Sequence, residues 1–128
     1  MYSDMVMEHF RNPRNVGELD DADVVVQHGD PACGDMLLLF LKIDDDVVTN
    51  VKFRILGCGA AIATSSVASE LALGKSLDEV LKLTDLDIAA ALGGLPEEKT
   101  HCSILAVTAL HTGIMRYLAA SGEIGQPD

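Results

Sequence analysis

Three cysteines, a histidine and an aspartate carry most of the chemistry available to this chain. Cys33 stands in Pro31-Ala32-Cys33-Gly34-Asp35, Cys58 in Gly57-Cys58-Gly59, and Cys102 directly follows His101. Thiolates bind soft metal ions and attack sulfur. The flanking glycines let backbone approach closely and offer amides to a sulfur atom. Cys102 is expected at the N-terminus of a helix, a position that lowers a thiol pKa and favours thiolate. A single free cysteine is commonly a small buried apolar residue, but three cysteines outside predicted regular elements fit that reading poorly. The sequence has no Cys-x-x-Cys pair, so spacing alone leaves zinc or an iron–sulfur cluster open, with His101 as a fourth ligand or merely a capping residue. A Cys–His nucleophile is disfavoured. Adjacent residues at a helix start diverge by about 100°, and no acidic third member is evident. A purely structural zinc module is disfavoured too, because such sites draw ligands in close pairs.

The elements that must position these residues read in two halves. Ser3 caps a first helix, with Tyr2, Val6 and Phe10 on one face. The segment Asn12-Pro13 ends it. Val24 to His28 is a short strand, and Met36 to Ile43 a second, apolar almost throughout and so expected to be covered on both faces. Asp44-Asp45-Asp46 makes a solvated turn without the spaced ligands of a calcium loop. Val51, Phe53 and Ile55 alternate with Lys52 and Arg54 as in a half-buried strand, paired as an antiparallel hairpin with the second. Helices follow: Ala60 to Leu73 closing on Gly74, one opened by the capping box of Ser76 and Glu79, one capped by Thr84 and ending at Gly93-Gly94, and a long one from about Ser103 to Ala120. His111 falls on the apolar face of that last helix, as a core residue. Strands first and helices after define an α+β fold, a small antiparallel three-stranded sheet with helices packed on one face. One domain spanning 1–128 is expected, with 123–128 as a frayed tail.

The totals narrow the partners. The 128 residues carry 20 acidic and 9 basic side chains, net −11, which argues against nucleic acid or an anionic membrane. The N-terminal stretch lacks a basic region followed by an apolar one, so no signal or transit peptide is expected there. The run Met36 to Leu41 is far short of the roughly 20 apolar residues of a membrane span. These features lead to the expectation of a cytoplasmic protein, where an odd cysteine count does not mean a disulfide framework.

Four segments in order carry a family resemblance: His9-Phe10-Arg11-Asn12-Pro13-Arg14-Asn15-Val16-Gly17; Pro31 to Asp35; Gly57-Cys58-Gly59-Ala60-Ala61-Ile62-Ala63-Thr64-Ser65-Ser66; and Leu95-Pro96 with Lys99-Thr100-His101-Cys102-Ser103. Over Tyr2 to about Leu118 the chain resembles the IscU/NifU-type iron–sulfur cluster assembly scaffolds. The resemblance implies cluster or metal binding by Cys33, Cys58 and Cys102, with Asp35 linked to iron entry and release and His101 as a fourth ligand. It implies a [2Fe–2S] cluster as cargo and zinc in the cluster-free form. Sulfur would come as persulfide from a cysteine desulfurase docked at the N-terminal segment and cysteine loops, with Cys102 and Cys33 as acceptor candidates. The product would go to cluster-accepting apo-proteins, so the chain is expected to be a carrier and not an enzyme turning over a small molecule. A zinc-binding sulfur acceptor using the same residues is the alternative. Leu95-Pro96-Glu97-Glu98-Lys99 departs from the family's Leu-Pro-Pro-Val-Lys, which puts recognition by the dedicated Hsp70-type chaperone in doubt. The length of the chain leads to the expectation of none of the extra domains of full-length NifU, and the stretch from Cys58 to His101 has no room for the SufU-type insertion.

Overall fold

The computed structural model describes residues 2–30 and 34–120. Cys33 and the expected frayed tail at 123–128 lie outside them.

Strands β1 (Val24–Asp30), β2 (Asp35–Asp44) and β3 (Val47–Leu56) form an antiparallel meander in the order β1-β2-β3. Alternation sends Leu37, Leu39, Leu41 and Ile43 to one face, beside Val24, Val26, Val51 and Phe53, all buried. The β2–β3 connection needs only Asp45 and Asp46. Both have positive φ, +52° and +60°, the two-residue geometry that matches strand twist. The far edge of β3 is not bare. The Phe53 amide donates to the Asn15 carbonyl, the Gly17 amide to the Phe53 carbonyl, and the Val48 amide to the Lys75 carbonyl, which blocks further strand pairing there.

The helices are α1 (Asp4–Arg11), α2 (Gly59–Ala72), α3 (Leu77–Leu81), α4 (Asp85–Ala91) and α5 (Thr100–Ala120), with a 3-10 turn at Glu97–Lys99. They lie on one face of the sheet, as expected. α5 crosses β1 and β2, α2 lies over β3, and α1 packs on α2. α5 comes so close to the sheet that a Cβ at Gly113 would stand 2.8 Å from Leu41 Cδ1 and 3.2 Å from Val26 Cγ2. By length and composition α5 is apolar enough to cross a membrane, a feature not drawn from the sequence above; half of its most apolar stretch is buried within this fold.

Two expectations change. β2 is covered by helices on its inner face only. On its outer face Phe40 is nevertheless buried, flanked in register by Val25 and Lys52, and an amphipathic lysine stem covers apolar surface well. On α1 the inward pair is Val6 and His9, whereas Phe10 is exposed. The polar face of α2 draws His9 in: its Nδ1 lies 2.7 Å from Ser66 Oγ and its Nε2 3.4 Å from Glu70 Oε1. The following loop fastens to the same face, with the Arg14 amide donating to Ser66 Oγ at 2.9 Å and Asn15 Nδ2 to Ser69 Oγ at 2.9 Å. His111 sits half-buried between α5 and α3, its Nε2 3.1 Å from the Val80 carbonyl.

Candidate metal and cluster site

Three separated elements deliver the site. Asp35 opens β2, Cys58 is the N-cap residue of α2, and His101 and Cys102 lie in the first turn of α5. Each position follows from local chemistry. Gly57 admits the Asp35 carboxylate, since a Cβ there would stand 2.6 Å from Asp35 Oδ1. Pro96 and the 3-10 turn launch α5 three residues earlier than the apolar periodicity suggests, so Cys102 is helical and not a loop residue.

His101 Nε2 stands 3.0 Å from Asp35 Oδ2 and 3.5 Å from Cys102 Sγ. The donor atoms of Asp35, His101 and Cys102 all lie within 4.8 Å of one another, about the spread of ligands around one ion with bonds near 2.0–2.3 Å. Cys58 adjoins this group, packed against the buried cluster of Ala60, Ala61 and Cys102. Lys99 Nζ is 3.7 Å from Cys58 Sγ. Of the five residues expected at the site, four converge, and Cys33 lies outside the described residues. The set mixes hard oxygen, borderline imidazole and soft sulfur, a composition suited to zinc or to iron with sulfide.

The pKa values of the two described thiols are shifted in opposite directions. For Cys58, burial is the largest influence and raises the pKa. The Ala61 and Ala60 amides, the Lys99 ammonium and the Cys102 thiol together outweigh it, so the net shift is downward. Those amides face the sulfur without closing a strict capping hydrogen bond, so their pull is electrostatic, as at any helix N-terminus. For Cys102, burial first, then Cys58 and Asp35, push the pKa up to about 12. The expectation of a thiolate at Cys102 is therefore reversed in the metal-free chain. Cys102 has no exposed surface, because it lies inside the first turn against Ala60 and Ala61. It is still not sealed in the apolar interior: its sulfur faces His101, whose side chain is 57% exposed.

The nucleophile reading fails on different grounds from those the sequence offered. His101 and Cys102 do meet, and an acidic neighbour exists. Yet Asp35 and Cys102 both address the same ring nitrogen, Nε2, whereas a relay needs the acid on one nitrogen and the nucleophile on the other.

Lys99 escaped sequence reasoning as a site residue. The signal for Lys99 was its place three residues before Cys102 as one of only nine cations in an acidic chain. Beside Cys58 an apolar hollow of about 240 Å³ is lined by Tyr2, Val6, Met7, Phe10 and Gly59.

This fold and this cluster of donors place the chain in a defined group: residues 1–123 match the NifU-like N-terminal domain family, and the chain belongs to it. Among similar proteins is Iron-sulfur cluster assembly scaffold protein IscU 1 of Archaeoglobus fulgidus, 51% identical over 124 residues, 97% of this chain and 81% of that one. The protein named Iron-sulfur cluster assembly scaffold protein IscU in Aquifex aeolicus is 46% identical over 96% of this chain and 80% of its own. A crystal structure of a NifU-like protein (N-terminal) from Brucella abortus superposes with a TM-score of 0.73, at 20% identity, over 92% of this chain and 94% of that one. At that identity the likeness supports the fold.

Proposed function

We propose that this chain is a scaffold on which an iron–sulfur cluster is assembled and from which it is passed to recipient proteins. The observation that carries the reading is the convergence of Asp35, Cys58, His101 and Cys102, from three distant elements, in a member of a family whose similar proteins bear the scaffold name. The ligands proposed are Cys33, Cys58 and Cys102, with Asp35 and His101 competing for the remaining position and a [2Fe–2S] unit as cargo. Sulfur arrives as persulfide from a cysteine desulfurase, which the apolar hollow beside Cys58 suits as a docking face. The chain acts as a carrier and turns over no small molecule.

A stable four-thiolate carrier keeps its cluster. Here one position is held by oxygen or nitrogen, a weaker match for a metal–sulfide unit, and this favours release. Asp35→Ala is accordingly expected to lengthen the lifetime of the bound cluster, read as slower loss of visible absorption under a chelator. Loss at the parent rate would remove Asp35 from the release step.

Anaerobic incubation with ferrous iron, cysteine, dithiothreitol and a desulfurase tests the whole reading. Sulfide-to-iron charge-transfer absorption and a Mössbauer doublet of a binuclear centre are expected. A chain that stays colourless anaerobically and retains one zinc per molecule would favour the zinc-binding sulfur acceptor instead.

A further inference from the structure

Thr64 is wholly buried in α2, on the side that meets the first turn of α5. Its Oγ1 lies 3.1 Å from the Ala61 carbonyl and 3.3 Å from the Cys102 carbonyl. The first contact is the ordinary back-bond of a helical threonine. The second crosses 38 residues of sequence and ends on the backbone of the buried cysteine. The hydroxyl has one proton, which the two carbonyls share as a three-centre contact; the Cys102 carbonyl has two lone pairs, so it accepts its part without leaving its helical ladder. Around this contact the residues are small: Ala60, Ala61 and Cys102 form a compact buried cluster beneath Cys58. The helix that follows Cys58 and the helix that holds Cys102 therefore touch closely, and the threonine hydroxyl is a polar link between them.

We propose that Thr64 is a positioning residue: it locks the first turn of α5 onto α2 and so fixes the separation of the Cys58 and Cys102 sulfurs for metal and cluster binding. This rests on the assembly reading above. Thr64 touches no ligand atom and acts only through the backbone of Cys102. Groups that orient ligands in this indirect way change metal affinity by about 10–100-fold when removed.

The test compares the full chain with Thr64→Val, which keeps the shape and drops the hydroxyl, and Thr64→Ser, which keeps the hydroxyl. Cobalt(II) is titrated anaerobically in competition with a chelator, and unfolding midpoints in urea are recorded for the metal-free proteins. T64V is expected to bind cobalt at least ~10-fold more weakly, with less thiolate-to-cobalt charge-transfer absorption per bound ion and an unfolding midpoint near that of the parent. T64S is expected to restore both affinity and absorption. Equal affinity and equal absorption in T64V and the parent overturn the role, as does failure of T64S to restore either. Should T64V not fold, Thr64→Ala removes the same hydroxyl without adding a buried methyl, and the same two outcomes decide. A parent chain that binds no cobalt overturns the assembly reading itself, a result distinct from a parent that binds and a T64V that binds as well.

Discussion

Cys58 and Cys102 are one residue type in two electrostatic settings, and the difference lies in what surrounds each sulfur. Both lose water. Cys58 regains favourable field from the α2 amides and Lys99; Cys102, one layer deeper, has mostly negative neighbours. Lys99 thus serves as counter-cation to Cys58 in the metal-free chain, and its own pKa is raised, first by Cys58 and then by Tyr2. Lys99→Met is expected to raise the Cys58 pKa and slow its alkylation by iodoacetamide near neutral pH, read by peptide mass spectrometry. An unchanged alkylation rate would show that the ammonium does not act on this sulfur. Legibility at this scale was uneven. Cys58 stood out as a cysteine between two glycines, Cys102 as a cysteine at a helix start and His101 as its neighbour, whereas Asp35 entered only through the family resemblance. Lys99 and Thr64 did not stand out, since their roles exist only once α2 and α5 are packed together.

Elements whose ends are written in adjacent residues were read well from sequence. The capping boxes of Ser76 with Glu79 and of Thr84 with Asp87 both form, because each needs only four consecutive residues. The start of α5 was misplaced because Thr100, His101 and Cys102 are mediocre helix formers and the turn that launches them is a 3-10 turn with no side-chain cap. The inward face of α1 was misread because a period of four cannot show that Ser66 and Glu70 wait on α2 for His9. That contact has a pH consequence. Burial, then Arg14, lower the His9 pKa from 6.5, against the opposing pull of Glu70 and Glu8. The unfolded chain therefore binds the proton more readily than the folded one, so stability is full above pH 6.5 and falls as pH drops from there through the folded-state value. His9→Asn is expected to lose about 1–3 kcal/mol near pH 7.5, the cost of a broken buried hydrogen bond, while showing a shallower further loss on acidification. Urea unfolding at several pH values checks both, and equal acid slopes in parent and variant would exclude His9 as the source.

At the scale of the whole molecule, a compact chain with 20 acidic and 9 basic residues repels itself. Added salt is expected to raise the melting temperature steadily up to ~0.5 M, as screening shortens to a few ångströms. A flat or falling curve would mean that local ion pairs such as Arg54 with Glu18, at 2.9 Å, outweigh the general repulsion. The α+β class, the hairpin of the second and third strands and the one-sided helical layer followed from pattern alone. What the pattern could not supply was depth: alternation and spacing tell which residues share a face, not which lie one layer beneath it.

That layering bears on how the protein ages in air. Peroxide attacks thiolate and needs access. Cys58, partly exposed and with its pKa lowered, comes nearer to both conditions than Cys102, whose pKa is raised and which has no exposed surface. Between these two, sulfinic acid should accumulate on Cys58 first when the metal-free chain is exposed to hydrogen peroxide, as peptide mass spectrometry would reveal. The innermost sulfur is thereby spared until the outer one is spent.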